Sequence, residues 1–223
     1  MNLGQIQSQL TALANRRDFT ANTSLQQTFI TQALQRISRE LRCPAMEKTM
    51  TWTVPAANPG VVPIPQDFLE LIDLYDTSIW IKMVKVDVTK ALNGVNRSPP
   101  GPPTEYARQG GQWLVSPPPP QGNQIVVEYW AELTPLVNST DTNQVSTIAW
   151  DLIVYAALVQ FGIYYKDVRI GTVQPDGSYD GWEGQYRTAL SALQEQSDED
   201  DENSAAVVEP CYNMPLDWQF EHY

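Results

Sequence analysis

Histidine occurs once in the 223 residues, at His222, and cysteine only twice, at Cys43 and Cys211. A catalytic triad or a zinc-activated water needs a rigidly supported imidazole, and a histidine beside the C-terminus in an aperiodic segment has no such support. Two cysteines so far apart neither staple a small fold nor match the spacing of a zinc site, which points to a reducing, cytoplasmic origin. No serine stands in a G-x-S-x-G context, and neither G-x-x-x-x-G-K-[ST] nor G-x-G-x-x-G occurs, so nucleotide binding has no motif to rest on. No apolar run approaches eighteen residues, and the N-terminus lacks a charged leader followed by an apolar stretch; the expectation is neither a secretory signal nor a membrane span. Basic side chains are few, 14 Lys and Arg against 26 Asp and Glu, for a net charge of −12. Such a surface has no excess of cations with which to displace counterions from nucleic acid, so DNA is repelled rather than gripped.

What is present is a folded body. Hydrophobic residues make up 42% of the chain, with seven Trp and ten Tyr, while seventeen Pro and twelve Gly predict many loops. Leu3, Ile6, Leu10 and Leu13 recur at helical spacing, and Leu25, Phe29, Ala33, Leu34, Ile37 and Leu41 continue the period until Pro44, which disfavours helix at Cys43. In "MEKTMTWTV" the period changes to two: Met46, Met50, Trp52 and Val54 share one parity, and Lys48 is the single polar exception on that face. "VVPIP" reads as an edge strand. "QDFLELIDLY" carries at most a short turn of helix before hydrophobic strands around Asp76, Thr77 and Ser78. "DVTKALNG" reads as a short helix with Asp87 as N-cap and Gly94 just beyond its end.

The stretch "TEYARQGGQWLVSPPPPQGNQIVVEYWAEL" reads as a β-meander. Gly110-Gly111 forms a hairpin turn in which both central residues take positive φ, Pro117 to Pro120 form a stiff link, and Ile125, Val127, Tyr129 and Ala131 alternate in a further strand. From Asn143 the helical period returns. Ser146 is the expected N-cap; Ile148, Leu152, Tyr155, Ala156, Val159 and Ile163 form a stripe; apolar residues on the other faces imply burial on more than one side. A last helix aligns Trp182, Tyr186, Leu190 and Leu193. The fold class is therefore α+β: a helical bundle from residues 1–45 plus 143–197, an inserted antiparallel β-domain from 46–142, and a tail from 198–223.

In that tail, "DEDDEN" lacks the alternating ligands and central glycine of a calcium loop and reads as a solvated, mobile charge run. The aromatics of "YNMPLDWQF" look instead like an anchor for a partner surface. No metal and no cofactor is expected. Glu70 with Asp73, or Asp151 with its neighbours, has the residue types for acid and base work on glycosides, but exposed helix or loop positions explain them more simply. Trp52, Trp80, Trp113, Trp130, Trp150, Trp182 and Trp218 could line a sugar-binding face, yet most sit within hydrophobic periodicity, where core or subunit interface is the commoner use.

Five stretches, "LQRISRELRCPAMEKTMTWTV", "VVPIPQDFLELIDLY", "PPTEYARQGGQWLVSPPPP", "DLIVYAALVQFGIYYKD" and "YRTALSALQEQ", resemble in this order the adaptor (head-to-tail connector) proteins of tailed bacteriophages, over about Leu25 to Gln196. The resemblance implies a structural virion protein without enzymatic activity, assembled in the host cytoplasm and placed at the neck of the virion. It implies a homo-oligomeric ring, of about twelve copies, beneath the portal protein. A tail-side protein (nozzle, stopper or terminator) would lie below, and DNA would pass through the channel without specific binding. On this reading Tyr212, Met214, Leu216, Trp218, Phe220 and Tyr223 anchor the tail in the portal, "DEDDEN" is their flexible spacer, and the hairpin residues Arg108, Gln109, Gln112 and Trp113 make ring or tail contacts. The competing readings are a carbohydrate- or receptor-binding β-module, which needs a solvent-facing row of tryptophans, and a glycosidase, which needs two carboxylates converging in a cleft.

Overall fold

A computed structural model describes residues 1–175 and 177–205, with side-chain surroundings through Gln196. It is α+β, with seven helices and two four-stranded sheets. Helices α1 (Leu3–Ala14), α2 (Arg17–Thr20) and α3 (Thr23–Glu40) come first. Asn2 starts α1 through a capping box with Gln5, and Asn22 starts α3 by accepting from the Leu25 N–H. The chain leaves α3 in extended backbone at Cys43, the residue before Pro44, as the proline dictates.

Between α3 and the later helices lie the strands β1 (Glu47–Thr53), β2 (Val61–Pro63), β3 (Phe68–Asp76), β4 (Ile81–Lys82) and β5 (Val84–Lys85), the helix α4 (Val88–Arg97), and the strands β6 (Glu105–Gln109), β7 (Gln112–Ser116) and β8 (Gln124–Ala131). One sheet has the order β1-β8-β3-β4 and the other β2-β7-β6-β5. The connectivity is thus not a meander. β6 and β7 form the expected hairpin, but β8 crosses to the other sheet and inserts between β1 and β3. "QDFLELIDLY" is strand, not a turn of helix, because it pairs with β8 from Phe68 opposite Ala131 to Asp76 opposite Ile125. Only Gly110 of the paired glycines has positive φ, at 60°, so the hairpin is of the kind that needs just its first central residue there.

β5 and β6 run parallel, joined through α4, which packs on the outer face of its sheet over Ala107 and Leu114. That packing explains Gly94. It lies inside α4, not beyond its end, and a Cβ there would stand 1.8 Å from Ser116 Oγ. The inner faces of the two sheets enclose a second core, with Val62, Leu74, Met83, Trp113, Ile125, Val127 and Tyr129. β1 alternates as its sequence demands, with Met50 and Trp52 inward. Its exception, Lys48, is satisfied by Asp67 at 2.6 Å, and Asp67 also accepts from Tyr129 at 3.0 Å. Burial and that bond push the Tyr129 phenol up to about 12.

After β8, Leu133 and Leu136 re-enter the helical core, which also takes Met46 from just before β1. Ser38 accepts from the Leu133 N–H at 3.3 Å, Gln27 donates to the Leu136 carbonyl, and Arg42 on the exit from α3 pairs with Glu70 on β3 at 3.3 Å. Leu69 of β3 packs against the helical core, whereas Phe68, Leu71 and Leu74 of the same strand pack between the sheets.

Three further helices follow: α5 (Gln144–Ile148), α6 (Trp150–Tyr165) and α7 (Gly181–Ala205). Asn143, not Ser146, is the N-cap of α5; Ser146 is its capping-box partner, its hydroxyl accepting from the Asn143 N–H at 2.8 Å. Ala149, at φ −134° and ψ 62°, separates α5 from α6. α6 is buried on nearly every side, with Leu152, Ile153, Val154, Ala156, Ala157, Leu158 and Phe161 all in the core between α1, α3 and α7.

A charged latch holds α7 against α3. Arg36 donates to both Glu183 oxygens, at 2.9 and 2.8 Å, and to Glu40 at 3.0 Å; its guanidinium lies 4.1 Å from the centre of the Tyr186 ring, and the Tyr186 hydroxyl donates to Glu40 at 2.6 Å. Burial opposes ionisation of Glu183, yet bonds from Arg36 and Arg187 outweigh it and hold the carboxyl below its ordinary range. The helix does not stop near Gln196 to leave a spacer. It continues through the acidic run to Ala205, consistent with the lack of Gly or Pro between Gly184 and Pro210.

Candidate assembly surfaces

The tip joining β3 to β4 is built around a buried carboxylate. Asp76 accepts from the Ser78 N–H at 2.7 Å and from the Asn123 amide at 3.2 Å, while its carbonyl takes the Trp80 N–H at 2.9 Å. This turn forces Trp80 to φ 52°. A left-handed backbone costs a bulky L-residue about 1–2 kcal/mol, and such strain persists where the surroundings over-determine it, often at functional places. Here the outcome is display: the indole rests on Tyr75, ring centres 5.5 Å apart, and is still 71% exposed.

The same edge continues with Ile81 and Val84 exposed on either side of Met83, which plugs the core. β4 ends one sheet and β5 the other, so this short ribbon closes the open side of both. Lys82 pairs with Asp73 beside it.

Two further apolar surfaces flank α6. At its start Ile148, 59% exposed, and Trp150 face solvent. At its end Ile163, Tyr164 and Val168 do so, with Val173 and Tyr179 exposed in the segment leading to α7. Ile148 and Ile163 were expected on the buried stripe. The break at Ala149 takes Ile148 off the register of α6, and Ile163 lies in its last turn. The two ends are about 24 Å apart along sixteen helical residues. Below the second surface, Arg169 donates to the last carbonyls of α1, Leu13 at 3.1 Å and Ala14 at 2.9 Å, and pairs with Asp167, whose carboxyl it lowers to about 2.

Of the hairpin residues predicted to make contacts, Arg108 and Gln109 are exposed on β6 and Gln112 is half-buried at the start of β7. Trp113 is not available to a neighbour. It is 1% exposed, edge-on to Phe68 with ring centres 5.1 Å apart, because the inward parity of β7 places it between the sheets. Tyr212, Met214, Leu216, Trp218, Phe220 and Tyr223 lie outside the described residues. Trp80 was visible in sequence only as one tryptophan among seven. Nothing local there marked the turn that exposes it, since Asn123, which helps hold Asp76, is 47 residues away.

The arrangement offers surfaces for protein contact. Of the carboxylates weighed for acid and base work, Glu70 is matched with Arg42 and Asp73 with Lys82, while Asp151 stands in the first turn of α6. The exposed tryptophans, Trp80 at a strand tip and Trp150 at a helix start, do not form a row on one sheet. No group of three or more His, Cys, Asp or Glu positioned to hold a metal occurs among the described residues, and none of the described helices is long and apolar enough to cross a membrane.

No curated protein matches the chain. A family model, described as SU10 adaptor protein, matches residues 1–209 and so takes in both cores and all of α7. The chain belongs to the SU10 adaptor protein family, phage proteins with a structural role in the virion.

Proposed function

We propose that this adaptor forms a closed homo-oligomeric ring at the virion neck, docked on the portal protein above and on a tail-side protein below, and that it extends the DNA channel without binding DNA specifically. The observation that carries the reading is the distribution of exposed apolar side chains: the Trp80–Ile81–Val84 edge and the Ile148–Trp150 patch are different surfaces on different halves of the fold. A ring needs such heterologous faces, one meeting the other on the next copy. An aromatic anchor at the centre of a contact contributes more than its surroundings, and Trp80 is the best placed to do so. Arg108, Gln109 and Gln112 supply polar contacts at the rim. The tail residues Tyr212, Met214, Leu216, Trp218, Phe220 and Tyr223 engage the portal, joined to the body by the acidic end of α7. Net negative charge on every copy keeps DNA sliding freely through the channel.

Mass photometry with and without portal tests this. Twelve copies of the 25.1 kDa chain give a species of about 300 kDa. Trp80→Asp should leave a folded monomer that does not assemble, and truncation after Gln196 should leave a folded body that no longer joins portal. A wild-type chain that stays monomeric in the presence of portal would overturn the ring, and undiminished portal binding by the truncated chain would overturn the anchor.

A further inference from the structure

Between the two sheets, on the side closed by β5, lies a cleft of about 230 Å³. Phe68, Tyr106 and the buried edge of Trp113 line it, and the side chains of Glu70, Lys85 and Arg108 stand around it. Small-molecule sites usually span roughly 300–1,000 Å³, so this one suits a side chain more than a cofactor. Its charges are unevenly matched. Glu70 is held by Arg42, whereas Lys85 and Arg108 have no carboxylate partner among the described residues; Arg108 instead lies 5.4 Å over the Phe68 ring. In a chain of net charge −12, two unmatched cations beside one aromatic cleft select an anionic, aromatic occupant.

We propose that the occupant is the C-terminal segment of the same chain, residues 206–223, held in the cleft until a partner takes it. Three observations favour it. Residues 206–223 carry three carboxylates, Glu209, Asp217 and Glu221, and no Lys or Arg, and their end, "LDWQFEHY", sets Asp217 and Glu221 among the rings of Trp218, Phe220 and Tyr223. α7 also approaches that side of the body at Gln194. Gln194 donates to the Glu40 carbonyl at the end of α3 at 3.1 Å, and two residues later Arg42 reaches Glu70 at the cleft. Finally, eighteen residues beyond Ala205 span up to about 60 Å when extended, enough to return from the end of the helix to the sheets. Asp217 and Glu221 would meet Lys85 and Arg108, with Trp218 or Phe220 over the aromatic floor. The inference does not depend on the ring, and it gives the portal-binding segment a place to rest before portal arrives.

The test uses the full chain with p-benzoylphenylalanine in place of Trp218, photolysed at low concentration and mapped by mass spectrometry. The expected product is an intramolecular cross-link to Phe68–Leu71 or Tyr106–Trp113. Reversing both exposed cations, Lys85→Glu with Arg108→Glu, should cut its yield about tenfold, as the loss of two partly exposed charge pairs predicts. Adding Asp217→Lys and Glu221→Lys to that variant should restore it, which a mere folding defect would not allow. Cross-links elsewhere on the body, cross-links only between copies, or a yield unchanged by charge reversal would each overturn the proposal. None of these outcomes bears on whether rings form, which mass photometry decides separately.

Discussion

The helical half and the β half of this chain are stabilised differently. In the helical half one central helix, α6, is buried all round, and the helices that surround it are tied together by arginines: Arg36 across α3 and α7, Arg169 onto the end of α1, Arg16 over Tyr165. In the β half the core lies between two sheets, ion pairs are peripheral, and tightness comes from close approach, as where α4 meets Ser116 at Gly94. The comparison teaches where each half tolerates change. The bundle depends on directional charge at its periphery, and the sandwich depends on shape.

The strongest way to break the comparison is to empty each core in turn. Phe161→Ala in the bundle and Trp113→Ala in the sandwich should each cost about 3–5 kcal/mol. Because Met46, Leu133 and Leu136 of the β connections sit in the bundle core, both should lower one shared thermal transition. Two separate transitions by calorimetry would show that the halves fold independently.

Next in size is the latch. Arg36 and Glu183 are 15% and 12% exposed, so Arg36→Ala leaves a mostly buried carboxylate with Arg187 as its one remaining cation and should cost about 2–3 kcal/mol. Hydrogen exchange should then quicken in α7 while sheet amides keep their protection. The same latch has an acid limit. Glu183 titrates below its unfolded value, so its contribution is complete above the ordinary glutamate pKa of about 4.3 and fades as pH falls through the lower folded value. Acidification should therefore loosen α7 first, and early loss of sheet protection instead would show that the latch is not the acid-sensitive element.

Shape is tested by Gly94→Ala, which should cost about 1–3 kcal/mol by pushing α4 off its sheet, with much of that recovered by adding Ser116→Gly. No recovery in the double variant would mean that the close approach is not the cause. The smallest effect is expected at Trp80→Ala. Removing a displayed ring should change the stability of the chain by less than about 1 kcal/mol; a large loss on chemical denaturation would make Trp80 structural.

Much of the fold was legible because helical and strand periods are local. The α1 stripe as far as Leu10, the α3 stripe, the alternation in β1, the stop before Pro44 and the burial of α6 all follow from neighbours a few residues apart; Leu13, expected to continue the first stripe, is 43% exposed, and Ala14 is buried in its place. What was not legible depends on distant partners. β8 reads as the next strand of a meander, and only its pairing with β1 and β3 moves it to the other sheet. Gly94 has the sequence look of a helix end; the side chain that demands it, Ser116, is 22 residues on. The surfaces divided the same way. Arg108 and Gln109 were placed on an exposed hairpin correctly, but Trp113 beside them points inward because parity, not proximity to a turn, decides its side. Trp80 became notable only once its backbone angle and exposure were known.

The strands at the open margin of the sandwich, β4 and β5, are two residues each. So little free main chain gives a passing polypeptide few rungs on which to zip. Contact on this side must therefore come through rings and aliphatic groups that demand a fit, Trp80, Ile81 and Val84, and not through added strands.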